Sequence, residues 1–518
     1  MRHYYRKKLD RILAMSPDEG FFQLAWAVHA LQTDAPERAI RYLDAKFIPS
    51  KAVTPPRYSE YAIHEWELET LINELMIIPK MQVRQNKITR QMRMDHFGVM
   101  GNCINRLRKL EDVEHRVLKH REDVFVDLGR IAARQFEWQA GFNDIARFYR
   151  NAFVYGQGPC AAYFEKTYGI TLDRFSEIGF ILYSNFRLRA VAGYNNAWKK
   201  LGIEKEEFEK VLTLIALPYS KAAKQASRLR PKTVHVADRP SILRQFPCIR
   251  FGEECERLRA PLPELILERI TSGVFYDVVK STDGKIRDDY GRRFEDYCFK
   301  YLETTLDQFS WDREFKYSFR KNMVHTPDIL CSSGGKIQIA FECKAKRMSQ
   351  SAMFGINPLS DGGYQELAKA VFQLWAFFSR CRRGYIKREL KDDTVGVVLT
   401  LDNWLVMAES LRREVLSMAK SMAAEKDPEI SEHDMKPIVF VTIQELERTL
   451  STASEASFIQ ACHLENTRGF KGWRLDSIHR KITLGQGHPC RKNPVSAELG
   501  ELLPWWDAMQ AKIKRLLD

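Results

Sequence analysis

The sequence predicts a multidomain α+β protein, in which a largely α-helical N-terminal region precedes a mixed α/β domain. Apolar residues recur with a helical period through much of residues 1–230. Between residues 325 and 347 they alternate with polar residues, the period of two that is typical of strands. A chain of 518 residues is also longer than a single hydrophobic core usually serves, so two or more domains are expected.

The N-terminal region, residues 1–230, is predicted to consist of helices separated by short breaks. Apolar spacing indicates helices over Phe21 to Leu31, Ala35 to Phe47 and His64 to Ile78. Five prolines interrupt residues 231–275, which are predicted to be a linker between domains. The helical region resembles no known family, so a role in recognition or regulation is only an expectation from its size.

Composition narrows the functional classes. The net charge of +14 favours a polyanionic partner, because neutralising phosphates drives association with nucleic acids. No apolar run approaches the roughly 20 residues of a membrane span, and the N-terminus lacks the apolar centre of a signal peptide. Ten cysteines occur without a CxxC pair, so a zinc ribbon or disulfide framework is not indicated. We expect a cytoplasmic protein without membrane contact.

The segment from His325 to Arg347 is predicted to form a β-hairpin. Ser332 to Gly335 supply the turn, where the glycines allow positive φ angles. Glu342 and Lys344 share one face of the second strand, and Asp328 begins the first strand, so Asp328 and Glu342 can meet at one end of the sheet. The opposite face of the second strand is apolar: Ile337, Ile339, Phe341 and Cys343.

Further elements surround this hairpin. An amphipathic helix is predicted over residues 290–306 and a strand over 311–319. After the hairpin, residues 363–383 predict a helix, and the valine-rich runs 394–401 and 437–441 predict strands. The order is therefore helix, three strands, helix, strand.

This order, with Pro327-Asp328 and Glu342-Cys343-Lys344 on the second and third strands, resembles the PD-(D/E)XK superfamily and its restriction-endonuclease-like αβββαβ fold. The resemblance implies a nuclease domain over residues 276–450, with 451–518 as a C-terminal extension packed on it. The short motif alone is unspecific, because Glu314-Phe315-Lys316 also matches it. The order of the elements carries the resemblance.

The resemblance also implies roles for particular residues. Asp328 and Glu342 would bind Mg²⁺ or Mn²⁺ together with the backbone carbonyl of Cys343 and a substrate phosphate. Lys344 would lower the pKa of the attacking water or stabilise the reacting phosphate. Glu295, on the first helix, would complete the metal shell or place a second metal.

Gln373 begins a segment, Gln373 to Phe377, that resembles the Gln-x-x-x-Tyr extension of some members, with phenylalanine in place of tyrosine. It would bind the attacking water or the DNA backbone. Each candidate has a structural alternative. Asp328 could be a turn residue, and Glu342 and Lys344 could form an ion pair on an exposed edge strand. Glu295 could be a common surface acid, and Gln373 could make a structural hydrogen bond in the core.

Basic residues are the candidates for nucleic-acid binding. One set recurs every three residues, as on one face of a helix, and could follow a phosphate backbone. The alternative is a solvated helix face with intrahelical ion pairs. A second set directly follows the hairpin motif. The two sets are Arg84, Lys87, Arg90 and Arg93, and Lys346 and Arg347.

The function expected from these patterns is divalent-metal-dependent hydrolysis of phosphodiester bonds, with DNA favoured because most of the family acts on it. Bacterial antiviral defence or control of mobile elements follows only by analogy with other two-part nucleases. The alternatives are an RNA-cleaving nuclease, a non-catalytic nucleic-acid-binding protein of the same fold, and a helical scaffold with a dimerising nuclease domain. The helical region could also mediate a homo-oligomer or bind a partner protein.

Overall fold

The computed structural model describes most of the chain, and its helices and strands together confirm the predicted α+β class. None of the described helices is both long and apolar enough to cross a membrane. The described residues are 1–33, 35–80, 92–118, 124–230, 235–349, 352–353, 358–402, 404–405, 409–486, 495 and 498–509.

The N-terminal region is helical, as the apolar spacing predicts. Helix Asp18–Gln32 is almost entirely buried, which explains why apolar residues there continue around the helix. The helices are Arg2–Ala14, Asp18–Gln32, Pro36–Ala39, Glu65–Ile77, Phe97–Leu118, Val124–Ala140, Ile145–Tyr155, Gly158–Tyr168, Leu172–Leu188, Asn196–Lys200, Lys205–Ile215 and Tyr219–Arg228.

The proline-rich segment 231–275 contains regular structure, which the linker prediction missed. It contains strands β2 (Cys248–Phe251) and β3 (Arg257–Arg259) and helices Glu264–Ile270 and Val274–Val278. Strands β2 and β3 pair antiparallel, and β2 pairs in parallel with β1 (Ala216–Pro218) from the end of the helical region. Pro247 lies immediately before β2 and Pro263 immediately before helix Glu264–Ile270, where the missing N–H costs little.

A five-stranded mixed sheet and a separate hairpin occupy the second half of the chain. The strands are β4 (Ser310–Arg313), β5 (Lys316–Phe319), β6 (Asn322–His325), β7 (Ile329–Ser333), β8 (Lys336–Lys344), β9 (Glu389–Thr400) and β10 (Ile438–Thr442). The strand order in the sheet is β4-β7-β8-β9-β10. Strand β7 is antiparallel to both β4 and β8, whereas β8, β9 and β10 are parallel to one another. Strands β5 and β6 form the hairpin.

The single strand predicted over residues 311–319 is two strands. The chain leaves the sheet at Glu314, whose N–H donates to the carbonyl of Asp328 at 3.0 Å, and then enters the β5–β6 hairpin. The turn of the β7–β8 hairpin follows the prediction, because Gly334 and Gly335 have φ angles of 61° and 78°.

Two long helices cover the sheet on opposite faces. Helix Gly284–Thr305 packs in one apolar cluster with Ile339, Phe341 and Cys343. Helix Gly362–Arg382 packs in a second cluster with Ala340 and Val398. Ile337 joins this second cluster, contrary to the predicted alternation, because a bulge shifts the register of β8 between Ile337 and Ile339.

The remaining helices pack around these layers. They are Glu409–Lys426, Ile443–Leu450, Glu455–Glu465, Leu475–Ile482 and Leu499–Leu502. The larger apolar cluster runs from Leu9 in the first helix to Trp505 near the C-terminus, so the helical region shares one core with the first face of the sheet.

Candidate functional site

The candidate site forms where β7 begins and β8 ends. In the antiparallel pairing Ile329 lies opposite Phe341, and the same register extended by one residue places Asp328 opposite Glu342. Strand β8 is the central strand of the five. An ion pair on an exposed edge strand is therefore not the explanation for Glu342 and Lys344.

Glu342 is the most enclosed acid of the site, with 2% of its surface exposed. Its Oε1 accepts a hydrogen bond from Nζ of Lys344 at 2.7 Å, whereas its buried Oε2 has no partner among the described residues. Burial and the neighbouring Asp328 raise the pKa of Glu342 to about 7. A buried oxygen left without a partner is costly, so this atom indicates a place for a cation or a donor.

Asp328 is half-buried, and its Oδ2 accepts a hydrogen bond from the backbone N–H of Cys343 at 2.6 Å. This bond crosses from β7 to β8, so Asp328 does not serve a local turn. Burial and Glu295 raise the pKa of Asp328 to about 7. Burial alone would lower the pKa of Lys344, but Glu342 and Asp328 raise it above its ordinary value, which keeps the ammonium charged.

Glu295 joins these residues from helix Gly284–Thr305. Burial raises its pKa to about 7, with further contributions from Glu314 and Glu342. Cys298, three residues after Glu295 on the same helix, belongs to one apolar cluster with Cys343 of β8, so Glu295 lies on the turn of the helix next to this end of the sheet. Glu295 in turn contributes to the raised pKa of Asp328.

Glu314 is the acid that sequence reasoning missed. It contributes to the raised pKa values of Glu295, Asp328 and Glu342, and its own carboxylate contacts the ring of His325. Its triplet with Phe315 and Lys316 is one of several chance matches in the sequence, so the motif alone did not distinguish it. The hydrogen bond from its N–H to Asp328 is what brings it to the site.

The side chain of Cys343 belongs to the opposite face of β8 from Glu342 and Lys344. Its thiol neighbours that of Cys298 on helix Gly284–Thr305, and both thiols are buried. This contact fixes the helix that carries Glu295 against the strand that carries Glu342. A role of the Cys343 carbonyl as a metal ligand remains a prediction.

Gln373 lies on helix Gly362–Arg382. This helix covers the sheet face that carries Ala340, and alternation along β8 places Glu342 on the same face. Its Oε1 is buried and has no hydrogen-bond partner in the part of the chain that the structure describes, so a structural bond to those residues does not explain it. The same atom does not bond to any acid of the site. Its contact with water or substrate remains a prediction.

The basic residues after the motif differ from each other. Lys346 is 50% exposed and lies 4.0 Å from Glu366. Arg347 is only 12% exposed, and it donates to Asp402 Oδ1 at 3.0 Å and to the carbonyl of Ser272 at 2.6 Å. Arg347 is therefore directed into the protein and away from the exposed surface, and its predicted contact with nucleic acid stays a prediction.

Three members of the other basic set, Arg84, Lys87 and Arg90, lie outside the described residues. Arg93 is described, but it precedes helix Phe97–Leu118 and is not part of a helix. Its guanidinium contacts Asp95 at 2.5 Å and Asp44 at 3.4 Å. The prediction that Arg93 lies on a helix face is therefore wrong.

The donor set of the site bears on metal binding. Among the described residues, no group of three or more His, Cys, Asp or Glu side chains is arranged to hold a metal ion. Mg²⁺ needs fewer protein ligands, because it keeps several waters and takes one or two carboxylates with substrate phosphates. Asp328 and Glu342 supply hard oxygen ligands, and a cation would relieve both their repulsion and the unpaired Oε2. The two acids therefore fit Mg²⁺ or Mn²⁺.

No protein-family model matches the chain, and no curated protein or solved structure shows significant similarity to it.

Proposed function

We propose that the protein is a divalent-metal-dependent nuclease whose catalytic centre lies at the adjoining ends of β7 and β8. The observation that supports this most is the buried Oε2 of Glu342, which has no partner among the described residues, on a carboxylate that neighbours Asp328 and whose other oxygen accepts from the ammonium of Lys344. Carboxylates whose pKa values are raised together beside a lysine are an arrangement found mostly at functional sites.

Asp328 and Glu342 would hold Mg²⁺ or Mn²⁺, and Glu295 would extend the ligand set. When bound, the ion lowers the pKa of a coordinated water and offsets negative charge on the phosphate. Because the acids have pKa values near 7, they are partly protonated at neutral pH without the ion, and binding would release those protons.

The residues of the chain would share the remaining chemistry. Lys344 stays protonated beside Glu342, so it can donate a hydrogen bond to a phosphate oxygen and offset its growing charge. Glu295 has a pKa of about 7, which suits proton exchange with a water or with the leaving oxygen. Lys346, exposed next to the site, can contact the phosphate backbone.

DNA is the proposed substrate, on the strength of the resemblance and of the net charge of +14. The charge favours RNA equally, so RNA is the second substrate to test. A role in bacterial defence or in control of mobile elements is part of the proposal by analogy alone.

The test incubates the purified chain with supercoiled, linear and single-stranded DNA and with RNA, in Mg²⁺, Mn²⁺, Ca²⁺ or EDTA. We expect cleavage with Mg²⁺ or Mn²⁺ only, because Ca²⁺ has looser geometry and aims the attacking water poorly. Cleavage that persists in EDTA would contradict the proposed mechanism. Binding without cleavage in every metal would favour the non-catalytic alternative.

A further inference from the structure

A cavity of about 520 Å³ lies beyond the carboxyl ends of the three parallel strands. Arg347 follows β8, Asp402 follows β9 and Gln444 follows β10, and all three line the cavity. Ligands of open α/β sheets bind in the crevice outside the carboxyl ends of the strands. The volume falls within the roughly 300–1,000 Å³ that is typical of small-molecule sites.

The helical region forms the other wall of this cavity. Glu69 comes from helix Glu65–Ile77, Glu137 from Val124–Ala140 and Arg147 from Ile145–Tyr155. Residues 237–280 close the wall between these helices and the sheet. The cavity is therefore built jointly by the two halves of the chain and is separate from the acids of the candidate nuclease site.

Cationic residues predominate in the lining, where nine are cationic and six are acidic. Arg147, which is 2% exposed, contacts Glu268 at 2.5 Å, while its Nε has no hydrogen-bond partner within the described ranges. Arg150 forms an ion pair with Glu447, which is not among the residues that line the cavity. Guanidinium groups fixed in this way are pre-organised to bind phosphate.

Two acids of the lining have pKa values shifted in opposite directions. Burial opposes ionisation of Glu137, but Arg244 and Arg147 lower its pKa to about 2. Burial and the charge of Glu137 raise the pKa of Glu268. At neutral pH the pair therefore carries less than two negative charges, which increases the excess of positive charge around an anion.

Aromatic rings complete the lining. Burial raises the pKa of the Tyr276 phenol to about 12. The residue is nevertheless 46% exposed, because its open side faces the cavity. The guanidinium of Arg347 lies 5.7 Å from the centre of this ring. Phe136 has Arg474 at 5.6 Å in the same way. Bases stack on such rings, and a neighbouring arginine strengthens the contact.

We propose that this cavity binds a free nucleotide, with its phosphates on the arginines and its base against Tyr276 or Phe136. Inorganic phosphate would use the fixed guanidinium groups but not the accessible rings, and a nucleoside would use the rings but not the guanidinium groups. A nucleotide uses both, so the site selects it over either. The site does not depend on the proposed nuclease activity, because Asp328 and Glu342 are not among the residues that line it.

The experiment is isothermal titration calorimetry of the full chain in EDTA with ATP, AMP, adenosine, pyrophosphate and a short DNA oligonucleotide. We expect ATP or AMP to bind at least about tenfold more tightly than adenosine and pyrophosphate, since each of these lacks one half of the recognition. Binding of the oligonucleotide without binding of any free nucleotide would overturn the proposal, as would no binding at all.

Two pairs of matched variants locate the ligand. Tyr276→Ala should weaken nucleotide binding about tenfold and leave pyrophosphate binding unchanged. Its control is Tyr385→Ala, because Tyr385 is 44% exposed beside Arg383 but lies outside the cavity.

Arg244→Gln should weaken binding of both nucleotide and pyrophosphate. Its control is Arg250→Gln.

Arg244 and Arg250 are comparable ion-paired arginines: Arg244 Nε lies 2.7 Å from Glu69, and Arg250 Nη1 lies 2.9 Å from Glu209. Equal loss in variant and control, with circular dichroism showing both folded, would overturn the proposal. A Glu342→Gln protein should still bind nucleotide. Loss of binding in that variant would place the ligand at the acidic site and contradict the cavity, whatever the outcome of the cleavage assays.

Discussion

The two sites at the carboxyl end of β8 have opposite electrostatics. At the acidic site Glu295, Asp328 and Glu342 face one lysine, and their repulsion and burial raise all three pKa values. In the cavity the cations outnumber the acids, and arginines lower the pKa of Glu137 to about 2.

The difference separates two tasks that one pocket could not combine. Carboxylates that repel each other favour a divalent cation, whereas arginines fixed by ion pairs favour an anion. Only a short stretch of chain, from Lys344 to Arg347, separates the two environments on β8 and the loop that follows it. Substitutions at the acidic site should therefore leave the cavity intact.

Loss of the acidic site is expected to have the largest effect. Asp328→Ala, Glu342→Ala or Lys344→Ala should each lower cleavage by on the order of 10²-fold or more, because each removes a proposed metal ligand or, for Lys344, the positive charge that would offset the charge on the phosphate. The measurement is the initial rate of DNA cleavage in Mg²⁺. The control is Glu389→Gln, since Glu389 pairs with Lys336 at the other end of β8. Full activity of a folded Glu342→Ala protein would reject the site.

Metal affinity should depend on pH in a way that the cavity does not share. Because the acids have pKa values of about 7, a divalent ion must displace their protons, so Mn²⁺ should bind on the order of tenfold more tightly at about pH 8 than at about pH 6. Calorimetric titration with Mn²⁺ measures this. Affinity that does not change with pH would show that the acids are already ionised.

The stability of the folded chain gives a metal-free test of the same acids. Glu342 titrates near 4.5 when unfolded and near 7 when folded, so its contribution becomes increasingly unfavourable as pH rises between these values. In EDTA at about pH 8, Glu342→Gln should raise the free energy of unfolding by on the order of 1–3 kcal/mol, and at about pH 4 the gain should vanish. Urea unfolding of both proteins, with Glu389→Gln as the control, measures it.

Glu314→Gln should produce a smaller change. Glu314 helps to raise the pKa values of Glu295, Asp328 and Glu342, so its removal should move the acidic limb of the pH–rate profile to lower pH. The profile of kcat/KM against pH shows the shift. Glu303→Gln is the control, because Glu303 is exposed and contributes to none of these pKa values. The same shift in both variants would mean that overall charge is responsible.

The smallest expected effect concerns the exposed lysine between the two sites. Lys346→Gln should weaken nucleic-acid binding and reduce its salt dependence by about one unit of slope, as expected for one lost phosphate contact. Binding affinity at several salt concentrations gives the slope. An unchanged slope would show that Lys346 does not contact the substrate.

The elements around the acidic site could be predicted because their signals are local. The turn of the hairpin depends on Gly334 and Gly335, and the alternation of β8 is visible in the residues themselves. The bulge that moves Ile337 to the other face occurs in the pairing of β8 with both β7 and β9, and the β9 partner of Ile337 lies more than fifty residues later. Glu314 was missed for the same reason, since its place depends on a hydrogen bond to Asp328.

Long side chains were predicted least well. Arg347 follows the motif and is basic, which suggested a surface contact, but Asp402 and Ser272 draw it inward from distant parts of the chain. The cavity could not be predicted at all, because its lining comes from residues as far apart as Trp66 and Arg474. Neither composition nor spacing brings such residues together.

The apolar cluster that runs from Leu9 to Trp505 has a consequence for how the chain folds during synthesis. The N-terminal helices leave the ribosome long before the strands that cover them. Trp505, whose indole donates to Ser176 Oγ at 3.0 Å, follows that serine by 329 residues. The nascent helical half would therefore expose apolar surface until the second half has been made, and a fragment without the second half should aggregate. The 518-residue chain should melt in one calorimetric transition.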